Sequence, residues 1–283
     1  MPDIVLNFYK DLPFNIKSQP WSPQSKILVN KYHPDTLKLA SQHQNIIDIG
    51  CGPGHLISSL NYHCNNAQSV PINRKFLGID YNQTAITYGK IQAGIYKLDT
   101  EFQVKDIFQL KEENFRLDKN EKVFLISIGA LHHTKNCIEA IQIILNLISK
   151  NKKVSFLIGL YHLWGREPFL THFKNLKDSG ASEQDLRREF NRLRGVSSDN
   201  LQDESWFQDQ VNHPRETSHT LAEIVPFFET AGFYLDSTSV NNFEKSTPED
   251  LYKLELHMKD KAAQRLQQSS YYPGFFTCLF KNY

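Results

Sequence analysis

The residues best suited to chemistry stand at the ends of apolar runs. Asn45-Ile46-Ile47-Asp48-Ile49 leads into Gly50-Cys51-Gly52-Pro53-Gly54, an acid followed by glycines at every second position. This reads as a buried strand ending in a tight turn, after which His55 to Leu60 can start a helix. Glycines there let the backbone bend, let a ligand approach closely and let helix and strand pack. A dinucleotide fingerprint is G-x-G-x-x-G with a pyrophosphate on the helix N-terminus, whereas here the order is D-x-G-x-G-x-G. Asp48 in front of the turn would repel a pyrophosphate and suits a cation. Further along, Lys75 to Asp80 and Glu101 to Asp106 each end in an acid, and the run Val123 to Ile128 passes through Gly129 into the pair His132-His133.

Asp48 to Gly54 resembles the first motif of class I S-adenosylmethionine (SAM)-dependent methyltransferases. SAM carries a sulfonium and an amino group, so an acidic turn fits its methionyl end. The resemblance implies the other roles. Asp80, with Tyr81 beside it, closes the second strand, where a carboxylate accepts from both ribose hydroxyls. The separation from Asp48 exceeds the roughly 20 positions common for this pattern, and the excess is assigned to a polar loop over 61–74. Asp106 would meet the adenine amino group with Ile107 packed on the ring; alternatively it is a turn cap. A fourth strand, a small residue and a His pair recur in several members, including tRNA wobble-uridine enzymes. A neutral imidazole there can take a proton from a nucleophile; the alternative for either His132 or His133 is a backbone hydrogen bond. The cofactor implied is SAM, leaving as S-adenosyl-L-homocysteine.

The elements that position these residues follow from periodicity. Ile138, Ile141, Ile144, Leu145 and Ile148 form a helical stripe, Val154 to Leu160 is a fifth strand, and strands alternating with helices argue a parallel, doubly wound α/β sheet. Phe233 to Val240 is a sixth strand. One capped helix from Thr247-Pro248 carries Leu251, Leu254, Met258, Ala262 and Leu266, and Phe275 to Lys281 closes a seven-stranded, mostly parallel sheet as an antiparallel strand, as in the resembling family. The expected division is an N-terminal arm (1–44), a SAM-binding core (45–160 and 220–283) and a helical insertion after strand five (161–219). The arm is rich in aromatics and prolines; the resemblance implies a segment folding over the cofactor, with Tyr9 and Phe14 as lid residues, and the alternative is that these aromatics cap the core. The insertion should hold its own elements: Ser182-Glu183-Gln184-Asp185 reads as a capping box, with Leu186, Phe190 and Leu193 on one face and Gly195 at its end. It leaves a strand's C-terminal end over the crevice, so it is the expected seat of substrate selection, with Tyr161, His162, Trp164, Arg166, Asp209 and His213 as candidates. Asp209, His213 and His219 match no strong metal-ligand spacing, and no metal is expected.

Composition narrows the partners. The 283 residues are 40% apolar, enough for a real core, and 32 basic against 31 acidic residues leave a net charge of +1. That offers no global field for nucleic acid and no polybasic anchor for a membrane. The cysteines Cys51, Cys64, Cys137 and Cys278 form no C-x-x-C pair. No run approaches the roughly 20 apolar residues of a membrane span, and the N-terminus lacks a signal peptide's basic start. A soluble, cytoplasmic enzyme is expected, moving a methyl group to an oxygen or nitrogen of a small molecule. The rivals are a tRNA-modifying methyltransferase, disfavoured by the charge balance, and a SAM-binding protein without catalysis. Oligomeric state is not legible.

Overall fold

The structure is a computed structural model and describes residues 4–10, 22–24, 29–66, 73–151, 153–196 and 201–283. Phe14 lies outside the described residues. Among those described, β1 (Asn45–Ile49), β2 (Lys75–Asp80), β3 (Glu101–Val104), β4 (Val123–Ile128), β5 (Val154–Tyr161), β6 (Tyr234–Thr238) and β7 (Phe275–Lys281) form one sheet. Its order is β3-β2-β1-β4-β5-β7-β6. All pairings are parallel except those of β7, which runs antiparallel to both β5 and β6. The helices are α1 (Ile4–Tyr9), α2 (Thr36–Gln42), α3 (His55–Asn66), α4 (Gln83–Ile95), α5 (Glu112–Phe115), α6 (Cys137–Ile148), α7 (Leu163–Asp178), α8 (Glu183–Arg194), α9 (Leu201–Val211), α10 (Leu221–Thr230), α11 (Pro248–Leu256) and α12 (Met258–Gln267).

Helices cover both faces, which is why β1 and β5 are buried at every position and read as continuous apolar runs. On one face Ile141, Ile144 and Ile148 of α6 join Phe228 of α10 and Phe280 of β7. On the other, Leu56, Ile57 and Leu60 of α3 meet Ile86, Phe102 and Phe124. The segment between β5 and α10 carries α7, α8 and α9, whose Phe169, Phe173, Leu186, Phe190, Leu193 and Phe207 make a separate small core. Its α8 begins at the expected capping box, the Ser182 side chain accepting from Asp185 N–H, and stops at left-handed Gly195. No helix among the described residues is long and apolar enough to cross a membrane. The cysteines are free thiols.

Four expectations about elements need correction. The stretch from Asn61 is not loop: α3 runs on to Asn66, because the buried Asn61 amide donates to Asp99 O and Thr100 Oγ1, both at 2.8 Å. Strand β3 stops at Val104, and Asp106 instead caps the short 3-10 turn Ile107–Gln109. Strand β6 ends at Thr238, whose side chain accepts from Val240 N–H and tightens the chain into Ser239–Asn241. The expected single C-terminal helix is broken at His257 into α11 and α12, and Leu254 faces solvent.

Candidate cofactor and acceptor site

The glycine turn lies at the C-terminal end of β1. Gly50 and Cys51 N–H both donate to Ile79 O of β2, at 2.7 and 3.1 Å, and Gly50, Gly52 and Gly54 all have positive φ. Two of these glycines serve different ends. A Cβ on Gly54 would stand 2.4 Å from the Phe102 ring, whereas one on Gly52 would meet nothing within 4 Å. Gly54 is therefore needed for packing, and Gly52 leaves open space where a ligand can approach.

Asp80 at the end of β2 ties that turn to the next helix. Its Oδ2 accepts from Gly52 N–H and its Oδ1 from Asn82 N–H, each at 2.8 Å. Burial raises the Asp80 carboxyl against the pull of those amides. Asp48 is buried, and burial together with the nearby Asp80 pushes its carboxyl up to about 7. A buried and a half-buried acid around an open glycine turn fit a ligand carrying positive charge, as SAM does at its sulfonium and amino groups. Tyr81 follows Asp80; burial first, then the Asp209 carboxylate, and to a smaller extent Tyr161 and Tyr81, raise the Tyr9 hydroxyl. Asp106 Oδ1 accepts from Phe108 N–H at 3.0 Å, so the turn-cap reading holds for that oxygen. Ile107 is half-buried and packs on the core. Gly129, φ +74°, ends β4 with open space around its Cβ position.

Beyond Gly129 the chain enters the 3-10 turn Leu131–His133. His133 Nδ1 lies 3.1 Å from Arg215 O. A carbonyl only accepts, so the proton sits on Nδ1 and the Nε2 of a neutral His133 is a bare acceptor. His132 Nε2, 3.1 Å away, must then donate, which leaves His132 Nδ1 buried and without a partner among the described residues. Burial drives both imidazoles down, His133 to about 3, so both are neutral at pH 7. His132 lies against Tyr161 with ring centroids 4.2 Å apart, and His133 against His213 at 3.8 Å.

The insertion supplies Asp209. Its Oδ1 accepts from the Tyr9 hydroxyl of α1, its Oδ2 accepts from Gln210 Nε2 at 2.6 Å, and Oδ1 is 3.9 Å from His133 Nε2. The Tyr9 carbonyl accepts from Asn82 Nδ2 at 2.8 Å. Tyr9 thus spans from the end of β2 to the insertion. His213 Nδ1 accepts from Arg215 N–H at 3.1 Å, and its ring packs on Phe8 and Tyr9.

Of the expected substrate residues, Tyr9, Tyr161, Asp209 and His213 come together with the histidine pair. Arg166 does not serve as a free contact: it is wholly buried and its guanidinium forks onto Glu216. His162 is likewise wholly buried, with Nε2 3.0 Å from Glu255 Oε2. The same Glu255 oxygen accepts from Leu221 N–H at 2.6 Å, so His162 and Glu255 fasten the insertion's two ends to α11. Trp164 is half-buried in the first turn of α7 and takes no part in the contacts that gather the others. His219 turns to Thr217 and Glu223. Its place beside Asp209 and His213 is taken by His133: ligand-type atoms of His133, Asp209 and His213 lie within 4.8 Å of one another. Asn82, Gln210 and Glu216 were not anticipated. Only Asn82 had a signal, as the Asn that caps α4.

A parallel sheet with an acid-and-glycine turn after its first strand, an acid after its second and an antiparallel last strand defines the class I SAM-dependent methyltransferases. A family model described as a methyltransferase domain matches residues 40–182, and the chain belongs to that family. The structure of PKMT2 from Rickettsia typhi in complex with AdoHcy is similar over 94% of this chain and 54% of that one, with TM-score 0.57 and 14% identity. The chain thus spans about half the length of that protein. The plantazolicin methyltransferase BpumL in complex with SAH is 16% identical over 90% of this chain and 88% of that one, with TM-score 0.45. Magnesium protoporphyrin IX methyltransferase (ChlM) from Synechocystis with bound SAH is 14% identical over 84% and 73%, with TM-score 0.44. At such identities the likeness to PKMT2 shows the fold. Among curated proteins none matches.

Proposed function

We propose that this chain transfers the methyl group of SAM to a nitrogen or oxygen nucleophile on a small molecule or a flexible side chain. The observation that carries the reading is the placement of the Tyr9, His133, Asp209 and His213 cluster. It is joined through Tyr9 and Asn82 to the end of β2 and through His133 to the end of β4, the same C-terminal edge of the sheet at which the glycine turn follows β1, which supports an acceptor site on that edge.

In this reading SAM lies across Gly50, Gly52 and Gly54 with its methionyl end near Asp48, its ribose on Asp80 beside Tyr81, and its adenine near Asp106 and Ile107. Gly129 gives it room at the end of β4. Residues 161–219 then form the acceptor side and the N-terminal arm its lid. The sulfonium is already a good leaving group, so the protein contributes alignment, worth up to about 7–11 kcal/mol in well-oriented systems, and a proton acceptor. The histidine pair and Asp209 stand together there as candidates for that proton, His133 Nε2 already accepting from His132, and general-base help of this kind is worth about 10²- to 10⁴-fold.

The deciding experiment combines calorimetry with SAM and incubation with methyl-labelled SAM and cell extract separated into small molecules, protein and RNA. Label in the small-molecule or protein fraction is expected. Label confined to RNA would replace this reading with tRNA modification, and SAM binding without any label transfer would leave a SAM-binding protein.

A further inference from the structure

The cluster at the C-terminal edge of the sheet has a feature that the transfer reaction by itself does not require. Asp209 is a buried carboxylate with no cationic partner among the described residues. Arg166, whose charge is felt at Asp209, is committed to Glu216 by Nε–Oε1 at 2.8 Å and Nη2–Oε2 at 2.9 Å. It reaches Asp209 only through Gln210, whose Oε1 accepts from Arg166 Nη1 at 3.0 Å while its Nε2 donates to Asp209. His133 and His213 are both held neutral by burial. A buried charge left in this condition is costly unless something positive joins it.

Resting on the methyl-transfer reading above, we propose that Asp209 is the seat of a positively charged amine on the methyl acceptor, held by Asp209 Oδ1 beside the His133 ring. Asp209 Oδ1 lies 3.9 Å from His133 Nε2, whose one lone pair already accepts from His132 Nε2, so the ammonium N–H goes to the carboxylate. A metal ion bridging the two atoms with bonds of about 2.1 Å would need roughly 140° between them, far wider than a tetrahedral site. The third potential ligand also disfavours metal. His213 Nδ1 accepts from Arg215 N–H, so the proton of a neutral His213 sits on Nε2, where a metal would have to bind. The surrounding rings of Phe8, Tyr9 and Tyr161 present aromatic surface of the kind that favours organic cations.

The reaction balances on these groups. The ammonium gives one proton to the Asp209 carboxylate, whose proton affinity burial has raised. The freed lone pair forms the N–C bond as the C–S bond breaks, and the bonding pair returns to sulfur as a neutral thioether. The methylated nitrogen leaves carrying its positive charge.

Ethylamine and ethanol are a matched pair of probes, small enough to enter whatever the outline of the true acceptor. With SAM-saturated wild-type protein, ethylamine should broaden in NMR spectra and yield labelled N-methyl product, and ethanol at the same concentration should do neither. Asp209→Asn should lower the ethylamine signal about ten- to hundredfold with SAM affinity unchanged by calorimetry. Equal behaviour of the two probes, an unchanged preference in Asp209→Asn, or Asp209-dependent zinc binding that ethylamine does not displace would overturn the assignment. The wild-type comparison stands even if the variant does not fold. Failure to bind SAM at all would instead bring down the methyl-transfer reading beneath it.

Discussion

The guanidinium of Arg166 lies as a two-pronged fork on the carboxylate of Glu216, Nε to Oε1 at 2.8 Å and Nη2 to Oε2 at 2.9 Å, with the arginine wholly buried. It also lies over the rings of Tyr161 and Phe169, at 4.1 and 4.6 Å from their centroids. One side chain therefore joins β5, the insertion's core and the segment after α9. Removing it strands a buried carboxylate. Arg166→Ala should destabilise by about 3–5 kcal/mol, read by urea denaturation, with SAM affinity nearly unchanged in the protein that remains folded. A loss below about 1 kcal/mol would mean that the pair contributes little.

The glycine turn separates packing from ligand approach. Gly52→Ala meets open space and should cost about 1–2 kcal/mol for its left-handed backbone, yet reduce SAM affinity at least about tenfold by filling the crevice. Gly54→Ala adds a clash with Phe102, worth about a further 1–3 kcal/mol. Thermal melts and SAM calorimetry on the two variants should therefore rank them in opposite orders relative to wild type. Identical rankings would refute the division of roles.

Asp80 accepts from two backbone amides and keeps lone pairs for a ligand. Asp80→Ala should weaken SAM by about 1.5–3 kcal/mol, the range for hydrogen bonds to a charged group. Unchanged affinity would remove Asp80 from the cofactor's contacts.

Affinity for SAM should depend on pH through Asp48. Its carboxyl is pushed up from 3.8 to about 7, so in the free protein it is largely protonated below that value. A cationic ligand prefers the ionised form. Binding should therefore strengthen as pH rises toward about 7 and level off above it, by at most about 1.4 kcal/mol per pH unit. The stability of the free protein should move the other way. A folded-state pKa raised above the unfolded value favours the fold at low pH, and that contribution fades between 3.8 and about 7 as pH rises. Asp48→Asn should flatten both dependences; SAM affinity constant from pH 5.5 to 8 in the wild type would exclude the coupling.

Much of this protein is written locally. The apolar runs at Ile46, Phe124 and Phe156 declare buried strands because covered parallel strands cannot alternate with polar residues. The acid-and-glycine turn declares a ligand because its left-handed conformations and open Gly52 call for that residue type. The capping box at Ser182 and the stop at Gly195 were legible for the same reason: caps act over three or four residues. What the sequence could not decide was which polar residues of the insertion meet. Tyr9 and Asp209 are 200 positions apart, and no periodicity couples them. His133, Asp209 and His213 converge because Thr217 and Arg215 tie the segment after α9 to the turn after β4, whereas His162, Arg166 and His219, equally promising by type, find Glu255, Glu216 and Glu223 instead. Burial decides between the two groups. A charge or imidazole taken out of water must be partnered, and only the tertiary structure shows which ones have used their partners on holding the fold and which one, Asp209, still lacks a counter-charge.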